Sequence, residues 1–141
     1  MQTKGRDIWI IFPVFCGLIG YLVWSRRDEP WTPMRITGIC LVVIGFSFWT
    51  LARIQLGEAF SVQAKASVLV THGLYSRIRN PIYVFGSVMI AGGCLFFQLP
   101  LALLVFLLII PLQIVRARKE AQVLEAKFGG AYVEYKKRTW F

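Results

Sequence analysis

Arg116 and Glu120 are the residues in this sequence whose types and spacing most directly suggest a binding site. They lie four positions apart, so on a helix they share one face, just beyond the last long apolar run. On a solvated face the pair would form a salt bridge worth on the order of a few tenths of a kcal/mol. In a cleft, the same side chains would offer an anion-binding guanidinium and a cation-binding carboxylate.

A second polar cluster, Tyr75 to Tyr83, precedes the third apolar run. Asn80 is a favoured N-cap residue and Pro81 suits the first helical position, so the segment predicts the start of a helix. Tyr83 would then lie in an aromatic belt at the membrane interface. On one interpretation, the segment does no more than start this helix. The other places two polar clusters on adjacent helix ends, where they would enclose a cleft.

The elements that must position both clusters are long apolar runs. The chain has 141 residues, of which 57% are hydrophobic and 16% charged, whereas soluble domains carry about a quarter charged residues. Four runs approach the roughly 17 to 25 residues of a membrane-spanning helix, at 8–24, 36–52, 82–99 and 101–115. The sequence therefore predicts a single all-α integral membrane domain over residues 1–141 with about four transmembrane helices, the last two joined by a tight turn at Gln98-Leu99-Pro100.

Further patterns predict how these helices pack and continue. Gly38 and Gly45 share a face of the second helix and either admit another helix closely or reflect how common glycine is in membrane helices. The fourth helix is predicted to continue as an extension to about Lys127, before Gly129-Gly130. The remaining expectations concern an extended or interfacial segment at 62–68 and an interfacial terminal helix carrying Tyr132, Tyr135 and Trp140.

The distribution of basic residues predicts the orientation of the helices. With four spans, the N-terminus, the loop 53–81 and the tail after Val115 share one side of the membrane. That side holds 13 of the 16 Lys and Arg, while Arg26, Arg27 and Arg35 lie on the other. The positive-inside rule therefore predicts a multi-pass protein with cytoplasmic N- and C-termini, in a cell inner membrane or an endomembrane.

The net charge of +9 is accounted for by these basic flanks and by their attraction to anionic lipid headgroups. No nucleic-acid-binding module is recognisable, so no nucleic-acid partner is predicted. The three cysteines all lie inside apolar runs, and the chain has a single histidine. No metal site is therefore expected.

The polar clusters resemble the catalytic region of the isoprenylcysteine carboxyl methyltransferase and phospholipid methyltransferase superfamily. Its pattern is a Gly-Pro-Tyr-like turn, Arg-His-Pro-x-Tyr, a helical hairpin, an Arg before a Glu-Glu pair, and a closing Phe-Gly-x-x-Tyr-x-x-Tyr. Order and spacing agree over about 56–138. The corresponding segments are Leu69-Val70-Thr71, Gly73-Leu74-Tyr75, Arg79-Asn80-Pro81-Ile82-Tyr83, Arg116, Glu120-Ala121 and Phe128-Gly129-Gly130-Ala131-Tyr132-Val133-Glu134-Tyr135.

The sequence departs from this pattern at three positions. Asn80 stands where the superfamily has His, Ala121 replaces the second Glu, and Ser67 occupies the position of an earlier His. Asparagine still donates and accepts hydrogen bonds, but it is not a base near neutral pH. Asn80 therefore cannot perform a step in which that histidine would remove a proton.

The resemblance implies a membrane methyltransferase that uses S-adenosylmethionine and a lipophilic acceptor from the bilayer. It assigns catalytic roles to Arg116 and Glu120, with Arg116 facing the acceptor and Glu120 holding the ammonium or offsetting the positive charge of the cofactor. The implied acceptors are an isoprenylcysteine-like carboxylate, a phosphatidylethanolamine-like amine or another lipophilic molecule, and Arg116 favours an anionic one. The implied cofactor-binding residues are Leu69, Val70, Tyr75, Asn80, Pro81, Ile82, Tyr83 and Glu120.

Two other functions remain open from the sequence. Some membrane sterol reductases have a similar C-terminal region and use a nicotinamide cofactor; the absence of Gly-x-Gly-x-x-Gly excludes only the Rossmann mode of binding it. Alternatively, the chain is a non-catalytic membrane subunit or lipid-binding protein, in which Asn80 and Ala121 mark lost activity. The sequence does not indicate an oligomeric state.

Overall fold

The computed structural model describes residues 6–57 and 69–140, except for the side chains of residues 6–9 and 11. The predicted segment 62–68 and Ser67 lie outside the described residues. The helices are α1 (Arg6–Ser25), α2 (Pro33–Leu56), a 3-10 helix (Gly73–Ser76), α3 (Pro81–Phe96), a second 3-10 helix (Pro100–Val105), α4 (Phe106–Phe128) and α5 (Gly130–Arg138). Within these ranges the only β-type pairing is an isolated bridge between Ile78 and Trp140, so the predicted all-helical class is confirmed.

Two of the helical segments are long and apolar enough to cross a membrane. They are Pro33–Leu56 and Pro100–Phe128, the latter made of the second 3-10 helix and α4. Phe12–Ser25 and Pro81–Phe96 are shorter apolar helices. Large apolar side chains face outward, among them Leu101, which is 79% exposed, and Leu107, which is 72% exposed. Such a surface suits contact with lipid or protein better than contact with water.

The second helix is longer than its apolar run. Thr32 caps it by accepting a hydrogen bond from the Arg35 backbone N–H, and Pro33 occupies the first turn. The helix continues to Leu56 and ends at Gly57, whose φ is +47°. The prediction that a loop begins at residue 53 is therefore wrong. The residues beyond the apolar run are good helix formers, and one of them, Gln55, makes a tertiary contact described below.

The connection between α3 and α4 agrees with the predicted hairpin. The α3 helix ends at Phe96, and Gln98 adopts φ +57° in the turn that follows. The run predicted as α-helical from residue 101 begins instead as a 3-10 helix, with Pro100 in its first turn. At its other end α4 reaches Phe128, and Gly129, with φ +52°, donates its N–H to the Glu125 carbonyl. The predicted extension and its glycine stop are confirmed.

Close contact between α2 and α3 depends on glycine. A Cβ atom on Gly38 would lie 2.7 Å from the carbonyl oxygen of Gly92, and one on Gly45 would lie 2.8 Å from the backbone nitrogen of Met89. Both distances are shorter than real Cβ contacts, and the obstructing atoms are backbone atoms that cannot rotate away. Of the two interpretations of these glycines, the structure therefore supports close helix approach.

At the end of α2 and α3 that contains Arg35, the connection from α1 is fixed by that side chain. Arg35 is 1% exposed and donates from Nη2 to the Arg26 carbonyl at 2.8 Å, while Nη1 lies 3.3 Å from a carboxylate oxygen of Glu29. Its guanidinium carbon lies 5.0 Å from the ring centroids of both Trp31 and Phe96. The connection is thus tied to the C-terminal turn of α3.

Adjacent glycines on α3 provide a matched test of this packing. A Cβ atom on Gly92 would lie 2.7 Å from both Gly38 O and Val42 N, whereas one on Gly93 would meet nothing within 4 Å. We expect Gly92→Ala to destabilise the protein by about 1 to 3 kcal/mol, the usual cost of overpacking. Thermal unfolding in detergent should show a clear loss for Gly92→Ala and little change for Gly93→Ala. Equal midpoints would show that α2 and α3 are not held at this separation.

Candidate functional site

The last turn of α2, the 3-10 helix Gly73–Ser76 and the first turn of α3 meet at one end of the helices, here called the site end. Gln55 joins them, because its Oε1 accepts a hydrogen bond from the Leu74 backbone N–H at 2.8 Å. Gly73 has φ +60°, and a Cβ atom there would collide with the Gln55 side chain. The turn therefore needs glycine both for its backbone conformation and for this contact.

Glu120 joins α4 to the same end. The Tyr83 hydroxyl donates to Glu120 Oε1 at 2.5 Å, which connects the first turn of α3 to the extension of α4. Arg116 is exposed and lies close enough for its charge to act on the Tyr83 hydroxyl. The ion pairs among the described residues do not include one between Arg116 and Glu120. The carboxylate is directed at Tyr83, so the salt bridge that spacing alone suggested is not formed.

Asn80 occupies the N-cap position of α3 but does not cap with its side chain. Its backbone carbonyl accepts from Tyr83 and Val84, while its amide makes no capping hydrogen bond. Pro81 is in the first turn and almost fully buried. The backbone of α3 begins after Asn80 as predicted. The half-buried side-chain amide of Asn80 is not used by the helix, so the helix start alone does not account for asparagine at this position.

The remaining predicted site residues differ in how firmly they are held. Ile82 is half-buried in the first turn of α3, and Tyr75 is buried in the 3-10 helix. Leu69 and Val70 are half-buried at the start of the second described segment. Within the described ranges, no hydrogen bond or ion pair links Leu69 or Val70 to the other site residues. The structure thus assembles the cluster from Tyr75 to Glu120, with Leu69 and Val70 preceding it in the chain.

The C-terminal residues 130–140, here called the C-terminal strap, lie against the site end. The Tyr135 hydroxyl donates to the Tyr75 carbonyl at 2.7 Å, and both residues are buried. Trp140 donates its backbone N–H to the Arg77 carbonyl at 2.9 Å and accepts from the Arg79 N–H at 3.3 Å. These three hydrogen bonds therefore attach the C-terminal strap to the turn that precedes α3.

The predicted terminal helix is present as α5, and this contact gives it a protein partner that the prediction did not include. Tyr132 is 3% exposed and is close enough to Arg79 for a side-chain interaction, so both tyrosines of α5 face protein. Trp140, in contrast, is 60% exposed. Tyrosines that alternate with charges are compatible with exposed or buried side chains. The contact with the turn decides that Tyr132 and Tyr135 are buried. The closing Phe-Gly-x-x-Tyr-x-x-Tyr spacing was the available sequence signal for this role.

The buried tyrosines remain protonated at neutral pH. Burial raises the pKa of Tyr135 to about 12. Burial also raises the pKa of Tyr75, assisted by Tyr135 and Glu120, while the Arg53 guanidinium opposes the change. Tyr135 can therefore keep donating its hydrogen bond, and neither phenol is a ready base. Because the unfolded chain releases the Tyr135 proton near the ordinary tyrosine pKa of 10.0, the stability that this residue contributes is fully present below that pH and is lost as the pH rises through about 12.

A second pair of polar side chains joins α3 and α4 further from the site end. Gln113 Nε2 lies 3.0 Å from Ser87 Oγ, and Gln113 Oε1 lies 3.2 Å from the same oxygen. Neither residue was singled out from the sequence, nor were Gln55 and Arg53, and Arg79 was named only as part of the motif that includes Asn80. Gln113 did carry a signal, since it is the one amide, hydroxyl or charged side chain in the apolar run 101–115.

Two other features of the described residues lie outside this cluster. An apolar groove of about 240 Å³ between α1, α2 and α3 is lined by residues such as Phe15, Val42 and Phe97. It offers no polar side chain for chemistry. The described part of the chain contains no group of three or more His, Cys, Asp or Glu that could hold a metal ion.

The site residues lie in a part of the chain that matches a known protein family. The profile of the phospholipid methyltransferase family matches residues 33–131, from the first residue of α2 into α5. This match covers well over half of the chain, which therefore belongs to the phospholipid methyltransferase family. The family consists of membrane-associated methyltransferases that generally use S-adenosylmethionine. No curated protein matches the chain closely enough to indicate a relative.

The C-terminal strap predicts a specific effect of one hydroxyl group. Tyr135→Phe should leave the buried Tyr75 carbonyl without its donor and cost about 1 to 3 kcal/mol of stability. It should also loosen the strap, so that trypsin cleaves faster at Lys136, Lys137 and Arg138. The matched control is Tyr21→Phe, because Tyr21 is 62% exposed on α1. The same thermal midpoint and cleavage rate in both variants would show that this hydrogen bond does not hold the turn.

Proposed function

We propose that this chain is an integral-membrane methyltransferase that transfers a methyl group from S-adenosylmethionine to a phospholipid headgroup. The contact between Tyr83 and Glu120 is the observation that carries the proposal. It brings together the polar clusters on α3 and α4, and both residues lie inside the range that the family profile matches. An isoprenylcysteine-like carboxylate is the alternative acceptor, since a guanidinium binds carboxylate and phosphate equally well.

The residues at the site end suit the chemistry of this cofactor. S-adenosylmethionine supplies a methyl group already activated by a sulfonium, so the protein mainly has to align donor and acceptor and exclude water. Glu120 is half-buried and offers a carboxylate to the cationic part of the ligand. Asn80 has an amide that the helix does not use, and Leu69, Val70 and Ile82 add half-buried apolar surface. Tyr75 and Pro81 are buried in the same cluster and would back the bound cofactor.

The acceptor would be held on the lipid side of the same cluster. Arg116 is exposed, and its planar fork, which forms no ion pair with the other described residues, suits a phosphate group. An amine acceptor must lose a proton before it attacks. Asn80 cannot take this proton, and the phenols of Tyr75 and Tyr135 stay protonated. Glu120 is then the described group in the cluster best suited to accept it, whereas a carboxylate acceptor would need no base.

The proposed topology has four spans with both termini in the cytoplasm. Support comes from the separation of basic residues along the helices. Arg26 and Arg35 lie at the end of the helices opposite the site, because Arg26 stacks on Phe97 and Arg35 on Phe96. Arg53 and Arg116 lie at the site end. The cofactor would then enter from the cytoplasm and the acceptor from the bilayer.

Charge removal at Glu120 tests the cofactor site. Glu120→Gln keeps an oxygen that can accept the Tyr83 hydrogen bond but loses the negative charge. It should weaken S-adenosylmethionine binding by about 1.5 to 3 kcal/mol, roughly ten- to two-hundred-fold in Kd. Isothermal calorimetry in detergent measures this. A larger loss for S-adenosylmethionine than for S-adenosylhomocysteine would assign Glu120 to the sulfonium, and an equal loss would assign it to the ammonium.

Two variants complete this experiment. Arg116→Ala should leave cofactor affinity within a few-fold and lower turnover with phosphatidylethanolamine. Glu134→Gln is the matched control, since among the described residues Glu134 pairs only with Arg138, on the exposed face of α5. A folded protein in which Glu120→Gln and Arg116→Ala both behave like this control would refute the proposed site.

Cysteine labelling tests the proposed topology. Asp28 is suited to this, because its side chain is 93% exposed in the connection between α1 and α2. In a background without Cys16, Cys40 and Cys94, Asp28→Cys should react with a membrane-impermeant maleimide from outside the cell. A reporter fused after Phe141 should be cytoplasmic. Labelling of both positions from the same side would overturn the four-span arrangement.

A further inference from the structure

Gln113, Arg116 and Glu120 follow one another on a single face of α4, at spacings of three and four residues. Opposite them on α3 lie Tyr83 and Ser87, also four residues apart. With a rise of 1.5 Å per residue, Gln113 lies about 4.5 Å further into the apolar region than Arg116, and Ser87 about 6 Å further than Tyr83. The facing surfaces of α3 and α4 therefore carry polar groups at two levels.

At the deeper level, the Gln113 amide has a hydrogen-bond donor that its contact with Ser87 does not use. Gln113 and Ser87 are both half-buried and bond only to each other among the described residues. A glutamine amide has two N–H groups, and one contact with Ser87 Oγ uses only one of them. A donor therefore remains available next to an apolar surface. Leaving it without an acceptor in a hydrocarbon environment would be costly.

A bound group that suits this position accepts hydrogen bonds and need not donate them. The ester carbonyl of a diacyl phospholipid has this property. In the sn-2 ester the carbonyl carbon is five bonds and its oxygen six bonds from the phosphorus, with bonds of roughly 1.2 to 1.6 Å. A bent chain of this length can place the carbonyl about 5 Å from the phosphorus, which is close to the separation of about 4.5 Å between the levels of Arg116 and Gln113. Phosphate at Arg116 would thus bring an ester carbonyl to Gln113 and the acyl chains against the exposed apolar side chains of α4.

We propose that Ser87 and Gln113 form a subsite that hydrogen-bonds an ester carbonyl of the phospholipid acceptor and so selects diacyl lipids. This inference rests on the proposed phospholipid acceptor. The alternative is a hydrogen bond that only joins the two helices, as polar side chains commonly do in membranes. A purely structural pair would affect diester and diether lipids alike, whereas a subsite would distinguish them.

The test compares methyl transfer to dioleoyl phosphatidylethanolamine and to its dialkyl ether analogue, which lacks both carbonyls. The wild-type protein should favour the diester by about three- to tenfold in kcat/KM, the range expected of one neutral hydrogen bond. Ser87→Ala and Gln113→Met should each bring this ratio to about one. Binding of S-adenosylhomocysteine should stay unchanged in both variants.

Two further variants control for structural effects. Ser87→Thr keeps the hydroxyl and should keep the discrimination. Ser47→Ala removes a hydroxyl that donates only within α2, to the Val43 carbonyl at 2.8 Å, and should also leave the ratio unchanged. If Gln113→Met fails to fold, the comparison of Ser87→Ala with Ser87→Thr still decides the question.

The outcomes separate this inference from the proposed function. Transfer to the diester with an unaltered ratio in Ser87→Ala would overturn the subsite and leave the phospholipid acceptor intact. A wild-type protein that does not discriminate between the lipids would overturn it equally. Transfer to farnesylcysteine but to neither phospholipid would refute the phospholipid acceptor and the subsite together. Failure of the wild-type protein to bind S-adenosylhomocysteine would refute the methyltransferase proposal itself.

Discussion

The contact between α2 and α3 is the constraint on which the rest of the structure depends. Gly38, Gly45 and Gly92 let the two backbones approach to a distance that any side chain would prevent. In a bilayer the hydrophobic effect gives apolar helices little reason to associate, so close packing and interhelical hydrogen bonds must supply the attraction. At one end this contact lets Arg35 join the α1 connection to α3, and at the other it brings Gln55 to the turn before α3.

The site itself depends on hydrogen bonds between segments that are distant in the chain. Tyr83 and Glu120 are 37 residues apart, and Tyr75 and Tyr135 are 60 apart. The first bond connects the two halves of the helical hairpin, and the second holds the turn that precedes it. A turn fixed in this way can present polar groups to a ligand without first paying the entropy of ordering them. The C-terminal strap, although it extends past the range matched by the family profile, is therefore part of the same arrangement.

Asn80, which stands where the resembling superfamily pattern has a histidine, occupies a defined position in this structure. The residue keeps the N-cap position, yet its side chain does not cap the helix. An amide there can orient a ligand but cannot remove a proton. Charge and proton chemistry would then fall on Glu120, which is directed into the cluster by Tyr83 instead of pairing with Arg116.

The sequence by itself determined the helices, the hairpin turn at Gln98, the glycine stop at Gly129 and the candidate residues on both sides of the hairpin. These features follow from local properties: runs of apolar residues, backbone preferences of Gly and Pro, and motif spacing. Only the tertiary structure decided that α2 continues to Leu56, that Tyr132 and Tyr135 face protein, and that Gln113 meets Ser87. The physical reason is that lipid-facing and protein-facing surfaces of a membrane helix are both apolar, so periodicity does not reveal how each helix is rotated. Helix rotation and separation set the partner of each polar side chain, and these depend on contacts between residues far apart in the chain.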